Sequence, residues 1–185
     1  KAGETAVRAS EQRFAKAFNL SPLRMGIVRN RDGGVIAFNE CWLREMGFTQ
    51  EETVGHSIFD LTAWIGAEGP RIRQIVEEGR PIRNWEAQAR TKSGQVRDTL
   101  VSAEPIELSG EPCMLWVSND ITELKRSQEA LRRSEELFRI SFENATVGLC
   151  LVGTDGKFLS VNPKLCEMLG YTNRGFHRRT FNVIT

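Results

Sequence analysis

The residues of this sequence best equipped for chemistry are four cysteines, two histidines and a pair of adjacent glycines, and their spacing argues against each chemistry in turn. Cys41, Cys113, Cys150 and Cys166 form no Cys-x-x-Cys pair and have no histidine cluster beside them. Structural zinc is held by ligands at short, regular spacings, so no metal centre is expected. The thiols read as reduced, mostly buried side chains of a cytosolic protein. His56 and His177 stand apart, and each reads as a solvated residue. No serine or cysteine can be matched with a histidine base and an orienting carboxylate. Gly33-Gly34 would suit a phosphate loop, but neither a helix nor a P-loop Lys-Ser/Thr follows, so a hairpin turn is expected. There is no kinase ATP-binding segment, no phospho-acceptor histidine in a helical context and no GGDEF-like or EAL-like string. The chain as given is expected to have no catalytic residues.

What the sequence does contain is a repetition. Ala6–Phe14 reads AVRASEQRF, and Ala130–Phe138 reads ALRRSEELF, 124 positions later. The segments that follow also match. Asp32-Gly33 falls on Asp155-Gly156, Asn39 on Asn162, and Gly47-Phe48-Thr49 on Gly170-Tyr171-Thr172, all at an offset of 123. Gly26 and Gly148 pair at an offset of 122, which places the length differences in loops.

Each copy must position its residues with the same elements. A helix over 5–18 carries Val7, Phe14 and Phe18 on one stripe and breaks at Ser21-Pro22. Met25–Val28 and Val35–Phe38 are strands about the turn Asn30–Gly34. Asn39 opens a short helix that Gly47 stops, and Asn162 holds the same place in the second copy; both read as helix caps. Thr49–Leu61 is polar with short helical pieces, and Pro70–Glu78 is a helix with Ile72, Ile75 and Val76 facing inward. Three strands follow, Ile82–Thr91, Val96–Ile106 and Pro112–Ser118, joined by turn-like Lys92-Ser93-Gly94 and Leu108–Glu111. The order predicts an α+β fold: a five-stranded antiparallel sheet with small helices on one face, plus flanking N- and C-terminal helices. Beyond the last strand, Asp120 can cap a charged helix with Glu123 in the capping-box position. Ile121, Leu124, Leu131 and Phe138 give that helix a short, polar-interrupted seam, a weak coiled coil by itself.

Composition adds exclusions. A length of 185 residues suggests one or two domains, and a formal charge of +1 argues against a nucleic-acid surface. No apolar run would span a bilayer, and no signal peptide opens the chain. The missing initiator Met suggests a piece of a longer protein.

These residues carry a family resemblance. The FNECWLREMGFT stretch, the TKSG hairpin, the SAEPIEL-SGEPCMLWVSNDIT ending and the Asp120-Ile121-Thr122 triad resemble a PAS domain with its C-terminal signalling helix. The repeat resembles the start of a second PAS domain. The resemblance implies an N-terminal linker helix over 1–18, a PAS domain over 19–122, an inter-domain signalling helix over 120–140 and a truncated second PAS domain over 141–185. It also implies a sensory or relay module of a multi-domain signal-transduction protein, cytoplasmic and bacterial. The first expectation for the parent is a sensor histidine kinase of a two-component system. The alternatives are a ligand-free dimerisation and spacer domain, or the input domain of a cyclic-di-nucleotide cyclase or phosphodiesterase. Expected partners are a second copy, bound through the flanking helices, and an output domain in the same chain.

The family divides over cofactors. In its light-sensing flavin branch a reactive cysteine follows a Gly-x-Asn stretch; here Ile58 holds that place, after Gly55-His56-Ser57. The positions of that branch's flavin-binding amides resemble Ala89, Thr99 and Ser118. Redox flavin members carry tryptophans in and after the long helix, which this sequence lacks there, and haem members place a histidine on or near it. No cofactor is therefore expected, flavin or haem being the alternative that colour would reveal. By the strand register of the resemblance, Trp85, Ala87, Ala89, Thr99, Val101, Ala103, Met114, Trp116 and Ser118 face the helices. They either line a small-ligand pocket or close it, with Trp85, Met114 and Trp116 filling the space. Trp42 and Trp64 read as packing residues. Asp120, Ile121 and Thr122 are the expected signal-transfer residues, Asp120 coupling sheet to helix.

Overall fold

The computed structural model describes residues 12–61, 63–66 and 68–172. The expected helix over 5–18 falls partly outside them, with Val7; its described part, α1, covers residues 12–20. The elements that follow are β1 (Arg24–Arg29), β2 (Val35–Phe38), α2 (Glu40–Met46), α3 (Ile58–Leu61), β3 (Ala63–Trp64), α4 (Glu68–Glu77), β4 (Ile82–Arg90), β5 (Val96–Leu108), β6 (Glu111–Asp120) and α5 (Thr122–Glu143). The sheet order is β2-β1-β6-β5-β4-β3, with neighbours antiparallel. The five expected strands are present. A sixth, the two-residue β3, extends the β4 edge; two residues have no periodicity from which a strand could be read.

The helix side of the sheet holds the main core. Val28, Phe38, Trp42, Met46, Ile58, Ile72, Ile75, Val76, Val101, Met114 and Trp116 pack there as one buried cluster. Alternation along β5 decides which side chains join it: Thr99, Val101 and Ala103 are buried, while the residues between them are only partly so. Gly26 lies in this face because Phe38 leaves no room for a Cβ, which would stand 2.5 Å from its ring. The opposite face is covered in part by α1, whose Phe18 packs with Ile27 and Cys113. Of the two stripe residues within α1, Phe18 goes to the sheet, whereas Phe14 is 53% exposed.

Helix α5 departs from expectation in one respect. Ile121 is buried in its own domain, while Leu124, Leu131 and Phe138 are each more than half exposed. The apolar seam available to a partner thus begins at Leu124, not at Ile121.

The chain divides into two compact units between Lys125 and Arg126. In the second unit, β7 (Cys150–Val152) and β8 (Phe158–Val161) form a hairpin followed by α6 (Pro163–Leu169). Its small core consists of Phe158 and Val161 with Cys150, Leu165, Cys166 and Tyr171. Leu151, Val152, Leu159 and Met168 are exposed. The divergent stretch Asn173–His177 lies outside the described residues. Among the described residues, no helix is long and apolar enough to cross a membrane.

Candidate functional site

The residues at the junction of sheet and exit helix converge on a single network. Asp120 is the last residue of β6, and Thr122 is the first of α5. One Asp120 carboxylate oxygen accepts the Thr122 amide at 2.9 Å, which caps the helix start. The other oxygen pairs with Arg97 at 3.2 Å. The backbone of Asp98 holds the same turn: the Ile121 amide donates to the Asp98 carbonyl at 2.9 Å, and the Asp98 amide donates to the Thr122 hydroxyl at 2.9 Å. Ile121 plugs its side chain into the domain at 8% exposure. One turn later, Lys125 pairs with Glu86 at 2.7 Å and reaches Asp98 at 3.6 Å. The triad expected from sequence is thus brought together. Arg97 and Asp98 of β5, Glu86 of β4 and Lys125 of α5 complete it, and no single sequence period groups the four.

Electrostatics keep this junction charged. Burial works against ionisation of Asp120, but the Thr122 hydrogen bonds and the charges of Arg24 and Arg97 outweigh it, so the carboxyl titrates below the ordinary aspartate range. The stability this carboxylate adds is complete at neutral pH. It is lost only as the pH falls through that lowered value. The Glu86 carboxylate, and then Asp98, hold the Lys125 ammonium above its ordinary pKa.

Arg24 is a further residue that the sequence did not flag. It opens β1 in phase with Gly26 and Val28 and is only 2% exposed. Its guanidinium donates to Thr99 Oγ1 at 2.7 Å and to Met46 Sδ at 3.4 Å, and its Nε lies 3.6 Å from Glu45 Oε2. Desolvation lowers its pKa, with Asp120 the largest charge opposing that.

The nine expected inner-wall residues lie where the strand register places them. Ala87, Ala89, Thr99, Val101, Ala103, Met114, Trp116 and Ser118 are buried. Trp85 is half-buried and donates its indole N–H to Glu68 at 2.6 Å. The apolar members pack against Trp42, Met46, Ile72 and Val76, and Trp116 tilts against Trp64 with ring centroids 5.8 Å apart. Met114, Val101 and Trp116 are all buried within this cluster. A separate cleft of about 380 Å³ between α3 and α4 is lined by Phe59, Trp64, Arg73 and Gln74.

Among the described residues, the remaining candidates carry no reactive geometry. Burial pushes the Cys41 and Cys113 thiols up, away from the thiolate form a nucleophile needs. His56 is exposed on its loop, and His177 lies outside the described residues.

Asn39 and Asn162 do more than cap. The Asn39 oxygen accepts from Trp42 N and Met25 N, each at 3.0 Å, and its amide donates to Leu23 O at 2.8 Å and Phe18 O at 3.0 Å. Asn162 repeats the pattern with Leu165 N, Leu149 N and Val147 O, at 2.9, 2.8 and 2.9 Å. In each copy one buried amide pins the incoming chain, the first strand and the short helix together.

Comparison with known proteins gives the same division. Residues 24–123 match a family described as PAS domain, and residues 136–184 match a second PAS domain family. The chain is 34% identical over 61 residues to the probable diguanylate cyclase DgcE of Escherichia coli (strain K12), a match covering 33% of this chain and 6% of that protein. Among solved structures, the PAS domain of an HTR-like protein from Haloarcula marismortui aligns with a TM-score of 0.55 at 20% identity, over 65% of this chain and 98% of its own. A PAS domain from a two-component sensor histidine kinase aligns at 0.50 with 12% identity, over 62% and 98%. Likeness at these identities is a likeness of fold.

Proposed function

Since the chain belongs to the PAS domain family, whose modules are sensory and not catalytic, we propose that its first domain relays a conformational signal into α5, which carries it to an output domain of the same protein. The observation supporting this reading is the junction itself. The start of α5 is tied to three strands: to β6 through Asp120, to β5 through Arg97 and Asp98, and to β4 through Glu86. A helix held at so many points cannot keep its angle when the sheet end shifts.

The reading includes a second copy. Leu124, Leu131 and Phe138 recur at seven-residue intervals on α5 and are exposed, as a seam between two α5 helices requires. The seam is short, so it supports pairing in concert with α1 and not alone. The module is read as a cytoplasmic one; a function without flavin or haem is supported by the buried inner-wall side chains and by Ile58, which stands where the resemblance would place an adduct-forming cysteine. Among output domains, a histidine kinase is the first reading. The identity with DgcE over 61 residues favours a cyclic-di-nucleotide cyclase as the second.

Inserting residues after Ala130 tests relay and pairing together. One added alanine turns Leu131 and Phe138 by about 100° relative to Leu124, while seven added residues restore the phase to within about 20°. The expected result is that the single insertion abolishes regulation of the output in the intact protein and weakens its dimer in sedimentation, with both recovering in the seven-residue insertion. An output indifferent to helix phase would contradict the proposal.

A further inference from the structure

Two anchor points described above share one helix. Asn39 caps the N-terminal end of α2 and donates to the Phe18 carbonyl of α1. At the other end of α2, Glu45 and Met46 contact the Arg24 guanidinium. Arg24 in turn donates to Thr99, whose Cα is the direct cross-strand partner of Asp120. Arg24 itself stands opposite Ser118, two residues before Asp120 on the same strand. We propose that Arg24 is a positioning residue that links α2 to Asp120, so that movement of the incoming helix α1 reaches the exit helix α5 through Asn39, α2 and Arg24.

Physical reasons favour an arginine in this place. A buried guanidinium retains a strong interaction with a nearby carboxylate because little water screens it. The anions around Arg24 are unequal: Glu45 is at the rim, its side chain 39% exposed, whereas Asp120 is at the junction. A shift of α2 that brings Glu45 closer to Arg24 or withdraws it therefore changes how much of the Arg24 charge Asp120 feels. Asp120 also faces Arg97 on β5, which is bonded to Gln95 and moves with the sheet, not with α2. Glu86 of β4, Asp98 of β5 and Lys125 of α5 are further charged groups at the junction. Of the two arginines that face Asp120, Arg24 is the one in contact with α2, and so it can report the position of that helix.

This inference rests on the relay reading, and the test separates the two. The carboxyl carbon of Asp120 is titrated by NMR in the whole chain, and the output is measured in the intact protein. Arg24→Met, which keeps the length of the side chain and removes its charge, is expected to raise the Asp120 pKa by about one unit. Glu45→Gln, at a partly exposed site where folding is not at stake, is expected to lower it by a smaller amount. Opposite shifts are the signature of a charge link, because structural damage would move both variants the same way. Both variants are also expected to blunt the response of the output to changes in α1. If neither variant moves the Asp120 titration, or if both shift it in the same direction, the link through Arg24 is overturned. If Asp120→Ala alters output while Arg24→Met and Glu45→Gln leave it unchanged, the relay stands and Arg24 is not part of it. If none of the three alters output, the relay reading fails as well.

Discussion

Trp116→Ala lowers the unfolding free energy of the first domain by about 4 kcal/mol, the range expected when a large aromatic is cut from a packed interior. Trp116 is 3% exposed at the centre of the inner wall, with Trp64 against its ring and Val101, Ala103 and Met114 in the same cluster. The strands around it are hydrogen-bonded on both edges, so they cannot close over the space. The measurement is direct because all four tryptophans of the chain, Trp42, Trp64, Trp85 and Trp116, lie in the first domain. Intrinsic fluorescence in a urea titration therefore follows that domain alone, and three reporters survive the substitution. A loss under about 1 kcal/mol would mean that Trp116 borders an existing cavity, and the ligand-pocket reading would replace the filled core. The same purified protein is expected to be colourless, and flavin or haem bands would have the same consequence.

The second large effect is at Asn39. Asn39→Ala is expected to destabilise the domain by about 3 kcal/mol, combining a lost helix cap with unpaired buried groups. Four backbone groups lose their partner together: the amides of Met25 and Trp42 and the carbonyls of Phe18 and Leu23. Asn39 is completely buried, so water cannot replace it. Asn39→Asp distinguishes the roles. The aspartate keeps the acceptor for both amides and loses the donor to both carbonyls, so it should retain the cap yet loosen α1. Hydrogen exchange in residues 12–20 should then quicken more than in α2. A change of under about 1 kcal/mol for Asn39→Ala would reduce the residue to a simple cap.

Much of this architecture was legible in the sequence for identifiable reasons. The pairing of Asn39 with Asn162 in the repeat marked a position where strand gives way to helix, and both were found there as caps. Alternation along β4, β5 and β6 gave the period of the inner wall, and the resemblance to PAS domains gave its phase. The double role of Asn39 was not legible, since hydrogen bonds to Phe18 and Leu23 join segments that only the fold brings together. Arg24 was hidden for another reason. A charged residue at the start of a strand ordinarily reads as solvated, and its burial depends on Thr99 and Glu45, which are distant in sequence. Ile121 was assigned to the seam by its spacing, but the domain takes it inside, because a strand-to-helix junction turns the first residue of the period toward the sheet.

The proposed relay depends most on Asp120. Its side chain touches the first amide of α5 and Arg97 of the sheet, and it is only half-buried, so its loss removes a connection more than it removes packing. The decisive measurement is the output of the intact protein carrying Asp120→Ala, expressed per folded molecule, alongside the melting temperature of the first domain. The expected result is a several-fold change in output with a melting temperature lowered by only a few degrees. A large fall in melting temperature with output per folded molecule unaltered would contradict it and reduce Asp120 to a structural cap.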